Sequence, residues 1–407
     1  MLNPRFTTWL TAICFFSFFL FGFTDNLKGP AIPDLLGDLQ FTYTQGGTIL
    51  LYAYVGFLLA TLSSGFLIDR IGKKSVLLLA GACLFIGTGT FSILRSFWGL
   101  CLAMAVIGFG LGSIEVGSNS LIIALHGERK GKYLNLLAVF HGMGATSAPF
   151  YGNLLLGAGL GWQSIYRFNL PIAGLLFLSM LLIPYREKPA STPAPSSSAA
   201  GRSLFEALIN RRMLFFYLVI VAYVAIELGF ASWIVEYLQR ERQFSASISG
   251  AFLSIFFAAI MVGRFLGSLF VEKMGYLRSL LLAGAASMIC LGLAMFGDAA
   301  FTFLFPLSGL FLSIIFPTTI AAAVSEDQTT YQGKILGVLF TLTAIGGMLG
   351  PWAIGLCSDW WGLAWGFSIL LGFCGAMLLA LIPLRFGQAK PAVKQPEPPA
   401  ALPANDV

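Results

Sequence analysis

Along its 407 residues the chain alternates long apolar stretches with short polar connections. A helix rises ~1.5 Å per residue, so about 20 mostly apolar residues cross a hydrocarbon core ~30 Å thick. Stretches that meet this length lie at 7–27, 46–68, 75–94, 97–123, 132–157 and 165–185. A second set follows at 212–238, 247–271, 278–297, 300–324, 333–357 and 362–385. The pattern predicts an all-α integral membrane protein of twelve transmembrane helices, with six-helix bundles over 1–185 and 212–385. Residues 186–211 hold a Pro/Ser/Ala stretch, Lys188-Pro-Ala-Ser-Thr-Pro-Ala-Pro-Ser-Ser-Ser198, that cannot bury a core and reads as a flexible linker. The tail over 386–407 has a similar composition and reads as disordered.

Composition agrees with a lipid-facing surface. The chain is 57% hydrophobic and 10% charged, with a mean hydropathy of +0.84. Soluble domains carry roughly 25% charged residues. The 46 Gly suit helices that approach closely in lipid. The apolar run at the start has no small-residue cleavage site, so it reads as the first span and not as a removed signal.

The net charge of +6 would point to nucleic acid if the basic residues were gathered in a polar domain. They lie instead in the connections, where they set topology. With the N-terminus in the cytoplasm, the inner connections hold Arg70, Lys73, Lys74, Arg129, Lys130, Lys132 and most of the remaining 24 Lys and Arg. The outer ones hold Lys28, Arg95, Arg167, Arg240 and Arg242. Both termini and the linker are therefore expected to face the cytoplasm. Cys14, Cys83, Cys101, Cys290, Cys357 and Cys374 all lie in apolar segments without a CxxC pair, which indicates neither disulfides nor a metal site. His126 and His141 are too few for a metal cluster. No cofactor is expected, and the absence of a P-loop excludes direct drive by ATP.

The two halves echo each other at a shift of about 202 residues. Gly144-Ala-Thr-Ser-Ala-Pro149 matches Gly346-Gly-Met-Leu-Gly-Pro351. Asp69-Arg70-Ile71-Gly72 matches Glu272-Lys273-Met274-Gly275, and Asp25 matches Glu227. Parallel repeats about an axis along the membrane normal, with a site near the midplane where they meet, are one recognised transporter design.

At Gly65-Phe-Leu-Ile-Asp69-Arg70-Ile-Gly72-Lys73-Lys74 the sequence resembles the signature loop of the major facilitator superfamily. Gly355-Leu-Cys-Ser-Asp359-Trp-Trp-Gly362 repeats its Gly-xxx-Asp-xx-Gly spacing. The resemblance covers about 7–385 and implies two pseudo-symmetric six-helix bundles, the major facilitator fold, with Gly65, Asp69, Arg70 and Gly72 in a cytoplasmic gate. Within that superfamily the chain is most similar to the fucose/hexose-type proton symporters. The residues that carry this are Asp25-Asn26-Leu-Lys-Gly-Pro-Ala-Ile-Pro33, Gly112-Ser-Ile-Glu115-Val-Gly-Ser-Asn119, Leu134-Asn135 with Phe140-His141-Gly142, and Glu227-Leu-Gly-Phe-Ala-Ser-Trp233. Glu115 fits the fourth-span acid of those symporters. Asp25 stands about one turn before the place of their first-span acid, where this chain has Gly29.

An ionisable group inside a span costs several kcal/mol unless it is paired, protonated or wet, so such groups are functional candidates. Glu115 is the candidate proton carrier and His141 a possible relay, or equally a satisfied structural histidine. Asp25 and Asn26 fall where the first span ends or breaks, among Gly22, Gly29, Pro30 and Pro33. They are candidates for substrate contact or for an outer gate. Glu227 lies mid-span, and Arg264 in Gly263-Arg264-Phe-Leu-Gly267 reads as a gate residue pairing an acid of the other half. Asn119, Asn135, Tyr223 and Trp233 supply the amides and aromatic faces that sugar sites combine.

These features imply a monomeric secondary transporter in a bacterial cytoplasmic membrane, moving a small polar solute, a monosaccharide above all, together with a proton. A proton-driven exporter and a passive uniporter stay open, the former because Gly144-xxx-Ala-Pro149 resembles a drug-antiporter pattern. With neither a soluble domain nor a catalytic constellation, an enzyme is not expected.

Overall fold

The computed structural model describes residues 4–183, 210–326 and 332–386, so all but the end of the expected linker and nearly all of the tail lie outside the described residues. The described secondary structure is helical throughout. In the first half these are α1 (Pro4–Asn26), α2 (Lys28–Leu39), α3 (Tyr43–Ile71), α4 (Lys73–Phe91), α5 (Phe97–His126), α6 (Lys130–Gly157), α7 (Trp162–Arg167) and α8 (Leu170–Leu182). The second half has α9 (Arg211–Glu241), α10 (Ala246–Met274), α11 (Tyr276–Phe296), α12 (Leu304–Leu312), α13 (Ile315–Glu326), α14 (Gln332–Trp361) and α15 (Leu363–Phe386).

Pairs of these helices form single spans: α1 with α2, α7 with α8, and α12 with α13. Twelve spans result, and eleven of them are long and apolar enough to cross a membrane on composition alone. The exception is α6, whose stretch carries Lys130, Lys132, Asn135, His141 and Asn153. The sequence reading ended the first span at residue 27, yet the helical chain runs on to Leu39. Lys28, expected in an outer connection, thus lies inside the span with 5% of its surface exposed. The break at Leu27 has a local cause. Pro30 and Pro33 lack N–H groups, which leaves carbonyls one turn back unpaired. The Asn26 side-chain amide donates to the Gly22 carbonyl at 2.8 Å just before the break.

Helices within each half touch backbone to backbone at glycines. A Cβ on Gly108 of α5 would stand 1.7 Å from the Ala53 carbonyl oxygen of α3. On α6, a Cβ at Gly144 would meet the Phe19 carbonyl oxygen of α1 at 2.1 Å, and on α14 one at Gly346 would meet that of Val221 of α9 at 2.6 Å. Phe19 and Val221 are separated by the same shift as Gly144 and Gly346. The repeat therefore preserves a packing contact as well as a motif.

Close contacts between the halves gather at one end. The first turns of α3 meet the last turns of α14, where a Cβ on Gly355 would lie 2.4 Å from the Tyr43 carbonyl oxygen. The half of α6 toward Gly157 meets α10, with Thr146 Oγ1 donating to Met261 Sδ at 3.7 Å. The start of α2 meets α9 at Gly29 and Ala231. These contacts lie toward the end poor in Lys and Arg. At the opposite, basic end, a Cβ on Gly65 or Gly337 would meet nothing within 4 Å. Among the described residues, the halves close on each other at the Lys/Arg-poor end.

Candidate functional site

Beneath the closed end, the broken first span presents a buried ion pair. Lys28 Nζ donates to Asp25 Oδ1 at 2.6 Å, with 6% and 9% of the two side chains exposed. The ammonium also donates to Tyr54 Oη of α3 at 3.0 Å, and the Tyr54 hydroxyl donates to Asp25 Oδ2 at 3.2 Å. Lys28 lies 4.4 Å from the centroid of the Tyr54 ring, a cation–π distance. Helical spacing explains the pair, since residues three apart share a helix face. The closed end covers it: Tyr54 packs against Gly347 of α14, and Gly29 against Ala231 of α9.

Across the interface stands Glu227 on α9, partly exposed. Arg264 of α10 acts electrostatically on Glu227 and His141, and Asp25 reaches the same two residues. Tyr223, one turn before Glu227, is buried. Glu227 and Arg264 both act on its hydroxyl. His141 packs edge-on against Phe21 with ring centroids 4.7 Å apart. Among the described residues no hydrogen bond joins it to Glu115.

Glu115 on α5 is partly exposed and differs from the other acids. Its one polar side-chain contact is with Asn119, whose Nδ2 donates to Glu115 Oε1 at 3.1 Å and to the Glu115 carbonyl oxygen at 2.8 Å. Among the described residues it has no ion-pair partner. Asn135, nearer the basic end of α6, is exposed. Asn26 has its amide turned back onto its own helix, as described above.

Trp233 is fully buried in the closing layer. Its indole Nε1 donates to the Pro351 carbonyl oxygen at 2.9 Å, and its ring meets Tyr43 edge-on at 5.7 Å. The Tyr43 hydroxyl donates to Glu236 Oε1 at 3.2 Å, an oxygen that Arg240 Nε also reaches at 3.2 Å. Asp359 crosses between the halves: its carboxylate oxygens accept the backbone N–H of Tyr43 at 2.9 Å and of Thr44 at 2.8 Å. Two free N–H groups at a helix start and the positive end of the helix dipole suit a carboxylate. Outside this layer lies a vestibule of about 760 Å³, with Asp34, Asp38, Arg95, Gln163 and Arg240 among its lining residues.

Gly65, Asp69 and Arg70 are exposed, Arg70 stacks on Phe66 of its own helix at 4.3 Å, and Gly72 joins α3 to α4 at φ 84°. A positive φ is why glycine stands at that turn. Sequence reasoning missed Lys28, Tyr54, Tyr43 and Glu236 as parts of the site. Asp359 carried a signal in its motif spacing, but not its role.

Twelve spans in two repeat-related halves, closed at one end over a buried ion pair and carrying further acids at membrane depth, define a polytopic membrane transporter. The chain belongs to the Major Facilitator Superfamily, whose family model matches residues 14–351. It is 26% identical over 360 residues to a glucose/galactose transporter of Brucella abortus, covering 84% of this chain and 86% of that one. It is 23% identical over 376 residues to the L-fucose-proton symporter of Escherichia coli, covering 84% and 85%. Among solved structures, the nucleoside transporter NupG (D323A mutant) superposes with a TM-score of 0.79 at 14% identity, covering 93% of this chain and 99% of that one. The family consists of transporters, not enzymes.

Proposed function

We propose that the protein is a secondary active transporter that moves a monosaccharide together with a proton by alternating access. The observation that carries the proton is the isolation of Glu115. A carboxylate at membrane depth without a cationic partner costs on the order of several kcal/mol when the site closes around it. Taking up a proton removes that cost, and releasing it on the other side couples the two fluxes. Asp25 already has Lys28 for compensation, and Glu227 lies within electrostatic reach of Arg264. Support for a sugar comes from the polar side chains of Asp25, Asn119, Glu227 and Tyr223 at membrane depth, and from glucose/galactose and fucose transporters among the relatives.

On this reading the basic end faces the cytoplasm, both termini lie inside, and the structure is the inward-open state of a monomer in a bacterial inner membrane. Substrate contacts would come from Asp25, Asn119, Glu227 and Tyr223 near the centre, with His141 beside them as a possible proton relay. Trp233 and Asn26 would act through the closing layer and the helix break. Asp69, Arg70 and Arg264 would engage only when the inner end closes. The Gly144–Pro149 motif gives no separate support to an exporter, because its glycine serves a helix contact that Gly346 repeats.

The test separates exchange from accumulation. Glu115→Gln in proteoliposomes should abolish proton-driven accumulation of sugar while counterflow exchange persists. Full accumulation by that variant would remove Glu115 from the coupling mechanism.

A further inference from the structure

We infer that the Asp25–Lys28 ion pair is a charge-selecting element of the binding site, which restricts transport to neutral polyhydroxylated solutes and rejects acidic and amino sugars of the same size. This rests on the sugar reading above and narrows it.

The acids Asp25 and Glu227 occupy equivalent places in the repeat, yet their compensating cations do not. Lys28 stands in the same span as Asp25, just past its break, whereas the residue at the matching shift in the second half is Phe230. Arg264 of α10 supplies the positive charge there, from a neighbouring helix. Each half thus carries an acid at the same depth and balances it by its own route. The outcome at each of these two acids is a compensated charge.

Such an arrangement has a definite complement. Lys28 and Asp25, with Nζ and Oδ1 only 2.6 Å apart, offer a donor and an acceptor side by side, and Tyr54 Oη adds a group able to do both. Adjacent hydroxyls of a sugar can accept from the ammonium and donate to the carboxylate without leaving a charge unpaired. A hexuronate would satisfy Lys28 and strand Asp25, and a hexosamine would do the reverse. Stranding one member of a buried pair is the costly event. Access follows from the packing, because Tyr54 and Gly29 beside the pair lie against Gly347 and Ala231 of the opposite half. Opening the Lys/Arg-poor end withdraws both covers and presents the pair to the entering solute.

The experiment is competition by hexuronate and by hexosamine against uptake of a labelled neutral hexose in proteoliposomes. It compares the intact protein with Asp25→Asn, Lys28→Gln and the Asp25→Asn/Lys28→Gln double variant. The intact protein should ignore both competitors. Asp25→Asn leaves net positive charge and should become sensitive to hexuronate, by tenfold or more in inhibitory concentration. Lys28→Gln should become sensitive to hexosamine to a similar degree. The double variant restores neutrality and should again ignore both, and it keeps the test valid if a single variant fails to fold. Unchanged selectivity in the folded single variants, or loss of discrimination in the double variant, would overturn the inference. Absence of hexose uptake by the intact protein would instead overturn the sugar reading on which it rests.

Discussion

At the scale of single residues, hydrogen is the side chain that lets these helices meet. Gly108 and Gly56 face the Ala53 and Ala105 carbonyls across α3 and α5, at distances no Cβ can occupy. Gly108→Val should therefore force the two helices apart, with a cost of about 1–3 kcal/mol typical of overpacking. A lowered unfolding temperature of the purified protein in detergent would register it. Gly372→Ala, where a Cβ meets nothing within 4 Å, is the control and should leave the unfolding temperature unchanged. Equal effects at both positions would contradict the packing account. The same scale shows where sequence reading stops. Asp25, Glu115 and Glu227 stand out as acids in apolar runs, but what compensates each depends on which helix faces it. Lys28 was assigned to a connection because the local composition, with two prolines and three polar residues, ended the apolar window there. Its burial becomes visible only once α2 continues the span and α3 supplies Tyr54.

At the scale of elements, the start of α3 is held twice. Thr42 and Gln45 form a capping box within the chain, and Asp359 of the other half accepts the next two backbone N–H groups. The local cap is legible as Thr-x-x-Gln ahead of an apolar run. The remote cap is not, since it joins residues more than 300 positions apart. Asp359→Ala should leave α3 helical and weaken only the closure between halves, by about 1–2 kcal/mol for a charged cap at a helix start. Spin labels at the Lys/Arg-poor ends of α3 and α14 should then report a larger share of long distances. An unchanged distance distribution would show that closure does not depend on this contact. Element boundaries were legible where glycine or proline punctuated the chain, as at Gly72 and Gly275, both at positive φ. The interrupted sixth and tenth spans were read as continuous because apolar composition does not register a break at Asn169 or Ser313.

At the scale of the whole molecule, apolar length and repetition were enough to predict twelve spans in two related halves, and the family follows from the same residues. The site was less legible. Asp25, Glu115 and Glu227 were legible as ionisable residues inside apolar spans, whereas the contacts each makes across the bundle were not. Trp233 and Asp359 belong to the closed end here, while Asp69 and Arg70, read as a gate, are exposed. On the proposed reading the unpaired acid Glu115 is neutralised when the site closes, so transport and proton movement should be inseparable. Uptake of labelled neutral monosaccharides into proteoliposomes, with and without an imposed inward proton gradient, tests this most directly. Accumulation of one sugar above its equilibrium level only when the gradient is present is the predicted result. Equilibration of sugar at the same rate and to the same level with or without the gradient would contradict it.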